Sequence, residues 1–331
     1  MAGPLRFRRS NDTWSRSRVE SALLGPLQDR FGAHLREPWF AIGDDRYDAV
    51  RIEIDNGDFA LFCFRPGRAY WLGNTETPEA LWRTDKETFE EAPSAVSRFA
   101  ERELTARLET TDPWLTEYEH LSWFFLPVFH SKDGRETTRR FFSADAAGFP
   151  DATREEGLSF YESLLSTGAL DDHRYTMASK LGTSPGYDVG RMRATMGEFT
   201  VAKLFVDAGI DFEPEVEFDS GHALDFVVGE TPIEVTRPEP PRRREATDSP
   251  IRAVVETGRA KQSDQLSAHP EAVLFIDCTS FFDDEWASIR AEKPAVGHEP
   301  TVVFRARPSG SIEGYRHGTL PFSLDDAIEW V

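Results

Sequence analysis

The sequence of 331 residues is poor in cysteine and in long apolar runs, and each shortage excludes a class of protein. Its two cysteines, Cys63 and Cys278, are too few and too far apart for a disulfide framework or a cysteine-based zinc site. The longest apolar run, Trp123 to Phe129, is far shorter than the roughly 20 residues that a membrane helix needs. The N-terminus is basic, but no apolar stretch follows it. These features predict a soluble cytoplasmic protein in a reducing compartment, with no membrane partner.

Positive charge is also scarce. Lys and Arg number 38 against 58 Asp and Glu, which gives a formal net charge of -20, and only six of the basic residues are lysine. This balance is typical of proteins from salt-accumulating archaea, in which an acidic surface maintains solubility. At molar salt the Debye length falls to about 3 Å, so net charge there neither favours nor excludes a nucleic-acid partner. We therefore predict a halophilic archaeal protein whose function is carried by local motifs.

Hydrophobic patterning predicts two domains. In the first, Asn56-Gly57 joins two alternating strands into a hairpin, and Thr153 and Glu156 form a capping box that begins a helix. The segment from Gly182 to Asp188 then interrupts two helical patterns with two glycines and a proline. We predict an α+β domain over residues 1–185 and a second, α/β domain over residues 186–331.

The second domain has a simple predicted order of elements. Helices are expected near residues 189–208 and 251–268, with a short C-terminal helix capped by Ser323. The predicted strands lie near residues 214–218, 223–228, 231–236, 272–277 and 301–306. The order from Val189 to Asp277 is therefore α-β-β-β-α-β.

Two acids interrupt strand-forming apolar runs in this domain. Asp225 and Glu234 lie in strands that the short Gly229-Glu230 turn can fold into a hairpin, and strand alternation then places the two carboxylates close together. Adjacent carboxylates repel unless they share a proton or bind a divalent metal. The pattern therefore predicts a divalent metal site, the alternative being a solvated acidic strand face.

This stretch resembles the PD-(D/E)XK nuclease superfamily, in which an acid in one strand is followed, in the next strand, by an acid, any residue and a lysine. Asp225 matches the first acid and Glu234 the second. Glu198 matches an acid that many members carry on the preceding helix, and here it falls on the apolar stripe of that helix. The resemblance covers about a quarter of the chain. It implies a restriction-endonuclease-like fold with a mixed central sheet, and Mg²⁺- or Mn²⁺-dependent hydrolysis of nucleic acid, with DNA favoured.

The departure from the family pattern is Thr236, which stands where the family has its lysine. In several branches of the superfamily that lysine lies on the following helix instead, and Lys261 and Gln265 occupy one stripe of that predicted helix. The predicted metal ligands are Asp225, Glu234 and Glu198. Lys261 is expected to orient the attacking water and offset charge, with Gln265 in support.

Other polar residues near the motif have weaker functional interpretations. The arginines after the second acid could contact phosphates or form a solvated loop; they are Arg237, Arg242, Arg243 and Arg244. Asp277 is expected to be structural, and His222 is expected to be a bystander. Two alternatives to a nuclease remain: an inactive nuclease-fold scaffold for nucleic acid or protein, and a structural cation site.

Overall fold

The computed structural model describes residues 5–132, 134–182, 186–217, 223–241, 249–263 and 265–331. The chain forms two compact units. Unit 1 comprises residues 1–138 and 181–185, and unit 2 comprises residues 139–180 and 186–331. The predicted boundary after residue 185 differs from this division, because residues 139–180 belong to unit 2. Over the described residues, the chain is α+β, with one β-sheet in each unit.

Unit 1 is built on a six-stranded antiparallel sheet. Its strands are β1 (Arg6–Ser10), β2 (Ala33–Arg36), β3 (Asp48–Ile54), β4 (Phe59–Arg65), β5 (Arg68–Gly73) and β6 (Asp85–Lys86). They lie in the order β2-β3-β4-β5-β1-β6. The predicted hairpin at Asn56-Gly57 is confirmed: Gly57 has a φ of +85°, a backbone conformation that glycine adopts without steric strain.

The helices of unit 1 cover the apolar residues of this sheet. They are α1 (Arg16–Val19), a π-helical turn (Glu20–Leu24), α2 (Gly25–Phe31), α3 (Ser94–Thr111), α4 (Glu119–Phe124) and α5 (Leu126–Phe129). Leu23 and Leu27 pack with Phe62 and Trp71 in one buried cluster. Helix α6 (Arg135–Ala144) begins in unit 1 and ends in unit 2. The aromatic run from Trp123 is largely buried, so it contributes to the core.

Two helices that precede the predicted boundary lie in unit 2, the second of them except for its last two residues, Leu181 and Gly182. Helix α7 (Arg154–Leu165) begins with the predicted capping box of Thr153 and Glu156, and it is followed by α8 (Arg174–Gly182) and α9 (Val189–Asp207). The Tyr161 hydroxyl on α7 lies 3.5 Å from the Met196 carbonyl and 3.4 Å from the Thr200 hydroxyl, both on α9. This packing of α7 against α9 makes α7 part of the same unit, although the glycine and proline segment lies between the two helices in the sequence.

Unit 2 contains a seven-stranded mixed sheet. The strands are β7 (Glu213–Glu217), β8 (Ala223–Val228), β9 (Thr231–Thr236), β10 (Val273–Asp277), β11 (Thr301–Ala306), β12 (Ile312–His317) and β13 (Glu329–Trp330). Their order is β13-β12-β11-β10-β9-β8-β7. β7, β8 and β9 pair antiparallel, whereas β9, β10 and β11 pair parallel. Helix α10 (Pro250–Ser263) connects β9 to β10, and α11 (Asp283–Glu292) connects β10 to β11.

Two predicted helical segments differ from the structure. Helix α10 ends at Ser263, and Gln265 begins a separate 3₁₀ turn, Gln265–Ser267, so the predicted continuation to residue 268 is wrong. The predicted C-terminal helix is replaced by turns and by β13, because Trp330 pairs in parallel with Gly314 of β12. Among the described residues, no helix is both long and apolar enough to cross a membrane.

Candidate functional site

Charged side chains from six consecutive elements of unit 2 come together at the β7-β8-β9 part of the sheet. The contributing elements are α8, α9, β7, β8, β9 and α10. The residues are Lys180, Glu198, Glu215, Asp225, Glu234 and Lys261. Three of the predicted residues, Glu198, Asp225 and Glu234, therefore lie in one region together with the predicted Lys261.

Three carboxylates form the centre of this region. One oxygen from each of Glu198, Glu215 and Asp225 lies within 4.8 Å of the others, and we call this group the acidic cluster. Glu198 is only 9% exposed, because it lies on the buried side of α9. The sequence predicted Glu198, Asp225 and Glu234 as the three metal ligands. In the structure, the third carboxylate of the cluster belongs to Glu215 instead of Glu234. Carboxylate oxygens at this spacing are a suitable donor set for a hard divalent cation.

Glu215 reaches the cluster through an unusual backbone conformation. It has a φ of +58° inside β7, a region that non-glycine residues enter at a cost of about 1 to 3 kcal/mol. The β7-β8 register pairs Pro214 with Phe226 and Val216 with Leu224, which leaves Glu215 and Asp225 opposite each other between these pairs. The strained residue is thus the one that brings a third carboxylate to the site.

Asp225 is held in place by a neighbouring strand. Its Oδ2 accepts a hydrogen bond of 2.8 Å from the Val235 backbone N–H of β9. The regular β8-β9 pairs extend from Val228 and Thr231 to Phe226 and Ile233. The Asp225 carboxylate therefore accepts a hydrogen bond from the first backbone N–H beyond these pairs. This bond fixes Oδ2 and leaves Oδ1 for the acidic cluster.

Lys180 is the cation of the acidic cluster. Its Nζ lies 2.5 Å from Glu198 Oε2 and 3.8 Å from Asp225 Oδ1, and it also forms an ion pair with Glu215 Oε1. Sequence reasoning missed this residue because it precedes the predicted domain boundary. The scarcity of lysine in the sequence could have indicated it, because Lys180 is one of only six lysines.

Glu234 and Lys261 form a second ion pair in the same region. Lys261 Nζ donates to Glu234 Oε1 at 2.5 Å, and Glu234 is only 1% exposed. Among the residues that the structure describes, the other oxygen, Oε2, has no hydrogen-bond donor. A buried acceptor without a partner costs about 1 to 3 kcal/mol, so an added cation or water at Oε2 would be stabilising.

The pKa values of three site carboxylates, Glu198, Asp225 and Glu234, are displaced by their surroundings. Burial, followed by the charge of Asp225, raises the pKa of Glu198 to about 8 and that of Glu234 to about 7. Burial also raises the pKa of Asp225. For Lys180, burial alone would lower the pKa, but attraction to Glu198 and Asp225 outweighs it and raises the pKa. Buried carboxylates of this kind favour a positive partner or a proton.

The arginine after the second acid has a structural environment. Arg237 is fully buried, its Nε lies 3.5 Å from Asp277 Oδ2, and it donates to the carbonyl oxygens of Arg193 and Gly148. The two interpretations of Arg237, as a phosphate contact or as part of a solvated loop, are therefore wrong. Asp277 also accepts the Thr279 backbone N–H at 2.8 Å, in agreement with the predicted structural role.

The structure gives less information on the remaining positions that the sequence singled out. Thr236 is half-buried at the end of β9. Gln265 does not continue helix α10, because it belongs to the following 3₁₀ turn. His222 and the arginines at 242–244 lie outside the described residues.

Comparison with known proteins identifies the family of the chain. A family model described as "Family of unknown function (DUF5784)" matches residues 2–324, so the protein belongs to this family. No curated protein and no solved structure matches it.

The excess of negative charge in this region favours a positively charged ligand. Four carboxylates and two ammonium groups, when all are ionised, leave two negative charges in excess, so the region favours a cation as its ligand. The carboxylate oxygens of the acidic cluster, together with Glu234 Oε2, which has no hydrogen-bond donor among the described residues, fit Mg²⁺ or Mn²⁺, which prefer oxygen ligands.

Proposed function

We propose that this protein is a metal-dependent nuclease that hydrolyses phosphodiester bonds, with DNA as the favoured substrate. The observation that carries the proposal is the convergence of the acidic cluster and the Glu234–Lys261 pair on three successive strands. Carboxylates whose pKa values are strongly perturbed and that are grouped with lysines are frequent at catalytic sites. Here three such carboxylates, Glu198, Asp225 and Glu234, are grouped with Lys180 and Lys261.

The proposed fold of unit 2 is restriction-endonuclease-like. Supporting this, α9, β7, β8, β9, α10 and β10 follow one another in the α-β-β-β-α-β order of the PD-(D/E)XK superfamily. The antiparallel pairing of β7, β8 and β9 and the parallel pairing of β9 with β10 agree with a mixed central sheet.

Each residue has a proposed role that follows from its contacts. Glu198, Glu215 and Asp225 would hold Mg²⁺ or Mn²⁺, with Glu234 contributing through Oε2. A bound divalent ion would supply Lewis-acid activation of water and of the phosphodiester. Lys261, 29% exposed at its side chain, would stabilise negative charge that develops on the phosphate.

The alternative proposal is an inactive nuclease-fold module that binds nucleic acid or protein. Thr236 favours it, because a hydroxyl at the family's lysine position brings no positive charge. Lys261 favours the enzyme, since its ammonium already lies against the second acid of the motif. A halophilic archaeal source remains part of the proposal, supported by the charge balance and the shortage of lysine, and so does a cytoplasmic location, for which the low cysteine content is the support.

A nuclease assay on the full chain tests the proposal. Purified protein in molar KCl is incubated with single- and double-stranded DNA and RNA, in the presence of Mn²⁺, Mg²⁺ or EDTA. We expect cleavage that requires metal and that Asp225→Asn abolishes. Asp211→Asn, at an exposed position outside the site, is the matched control and should cleave like wild type. Metal binding without cleavage of any substrate would favour the scaffold, and cleavage in EDTA would contradict the metal-dependent mechanism.

A further inference from the structure

Lys180 places its ammonium group where a cation bound by the acidic cluster would lie. Its Nζ contacts Glu198, Glu215 and Asp225, which are the three residues whose oxygens lie within 4.8 Å of one another. This spacing is comparable to that of oxygen ligands around a single divalent cation. The cluster is thus already occupied by a cation that belongs to the chain itself.

A divalent ion and the Lys180 ammonium cannot share this place. At about 4 Å, and in a partly buried environment, two cations repel strongly. Each carboxylate oxygen that coordinates the metal would also have to give up its contact with Nζ. The side chain of Lys180 is 23% exposed, so part of it already contacts water.

We propose that Lys180 is an internal competitor of the divalent metal: its ammonium must leave the acidic cluster before the metal binds, and it thereby sets the metal affinity. This inference rests on the proposed function, since it takes the acidic cluster as the metal site. Lys180 also compensates the charge of the clustered carboxylates when no metal is bound. The Glu234–Lys261 pair has a different position, because Glu234 is not one of the three clustered acids.

The test compares the Mn²⁺ affinity of three full-length proteins by isothermal titration calorimetry at one pH and ionic strength. They are wild type, Lys180→Met and Lys203→Met. Lys203 is the matched control, because it lies in the same unit and pairs with Asp207 at 2.8 Å on the same helix. We expect Lys180→Met to bind Mn²⁺ at least tenfold more tightly than wild type. Lys203→Met should bind within about twofold of wild type, since it makes the same change in net charge away from the cluster.

A double variant shows whether the increase in Mn²⁺ affinity comes from the acidic cluster. The outcomes also distinguish a failure of the Lys180 inference from a failure of the proposed function. Adding Asp225→Asn to Lys180→Met should remove the increase in affinity; an increase that survives would come from another site and would overturn the inference. Equal affinity of wild type and Lys180→Met would overturn the role of Lys180 but leave the proposed function intact. Absence of Mn²⁺ binding in both would overturn the inference together with the metal-dependent function. Lys180→Gln, which keeps a hydrogen-bond donor, is measured in parallel in case the methionine variant does not fold.

Discussion

Replacing Glu234 by glutamine should stabilise the metal-free protein increasingly as pH rises. Burial, with the charge of Asp225, raises the pKa of Glu234 from 4.5 to about 7. The unfolded chain ionises this group near 4.5, so between these values the folded protein binds the extra proton. The stabilising contribution of the protonated carboxyl is therefore present below about pH 4.5 and is lost as pH rises through 7.

The size of the effect follows from the same difference. At 1.36 kcal/mol per pKa unit, the ionised carboxylate costs the folded protein about 3 kcal/mol once pH exceeds the folded pKa. Glutamine has nearly the same shape and does not ionise, so it removes this cost. Lys261 loses its ion pair with the Glu234 carboxylate in the variant, but its side chain is 29% exposed, which reduces the cost of that loss.

The measurement is urea denaturation of wild type and Glu234→Gln in EDTA, at pH 5, 7 and 8.5. We expect the variant to gain about 3 kcal/mol relative to wild type between the lowest and highest pH. Glu292→Gln, at an exposed position on α11, is the control for loss of one carboxylate. If the stability difference between Glu234→Gln and wild type is the same at all three pH values, the argument that Glu234 is held partly protonated in the fold is refuted.

Three other changes test separate parts of the structure. Asp225→Asn should weaken Mn²⁺ binding at least tenfold in calorimetry, because it removes one charged oxygen donor from the cluster; unchanged affinity would exclude Asp225 as a ligand. Lys261→Ala should slow cleavage by about 100-fold or more in single-turnover assays while Mn²⁺ binding persists, and adding Thr236→Lys should restore part of the rate. Cleavage by Lys261→Ala at the wild-type rate would contradict the role of this lysine. Arg237→Met should lower the free energy of unfolding by about 3 to 5 kcal/mol, since it leaves Asp277 buried without its cation, and a loss below about 1 kcal/mol would contradict this.

Much of the fold could be predicted because its signals are local. The hairpin at Asn56-Gly57 and the capping box at Thr153 depend on residues only a few positions apart, and both appear as predicted. The strands around Asp225 and Glu234 were found for the same reason, since an apolar run with a short turn specifies them. The predicted domain boundary differed because the packing of Tyr161 against α9 is a long-range contact that no local pattern indicates.

The site was only partly predictable for a related reason. Glu213, Glu215 and Glu217 occupy alternate positions, a pattern that is typical of the solvent-exposed face of a strand. The sequence therefore does not distinguish Glu215 from its two neighbours. The positive φ of Glu215 within a strand is set by tertiary structure. Lys180 reaches the cluster from a helix that precedes the glycine and proline segment, and no spacing rule links it to Asp225.

The path of the chain between the two units determines which gene fragments encode a complete unit 2. The polypeptide leaves unit 2 after Lys180, contributes residues 181–185 to unit 1 and returns at Gly186. A gene fragment cut at the glycine and proline segment would encode residues 186–331 without Lys180 and without the Tyr161 side chain that covers α9. A fragment starting at residue 139 would keep every charged side chain of the site. The segment that looks most like a linker in the sequence is therefore a poor place to separate the two halves of this protein.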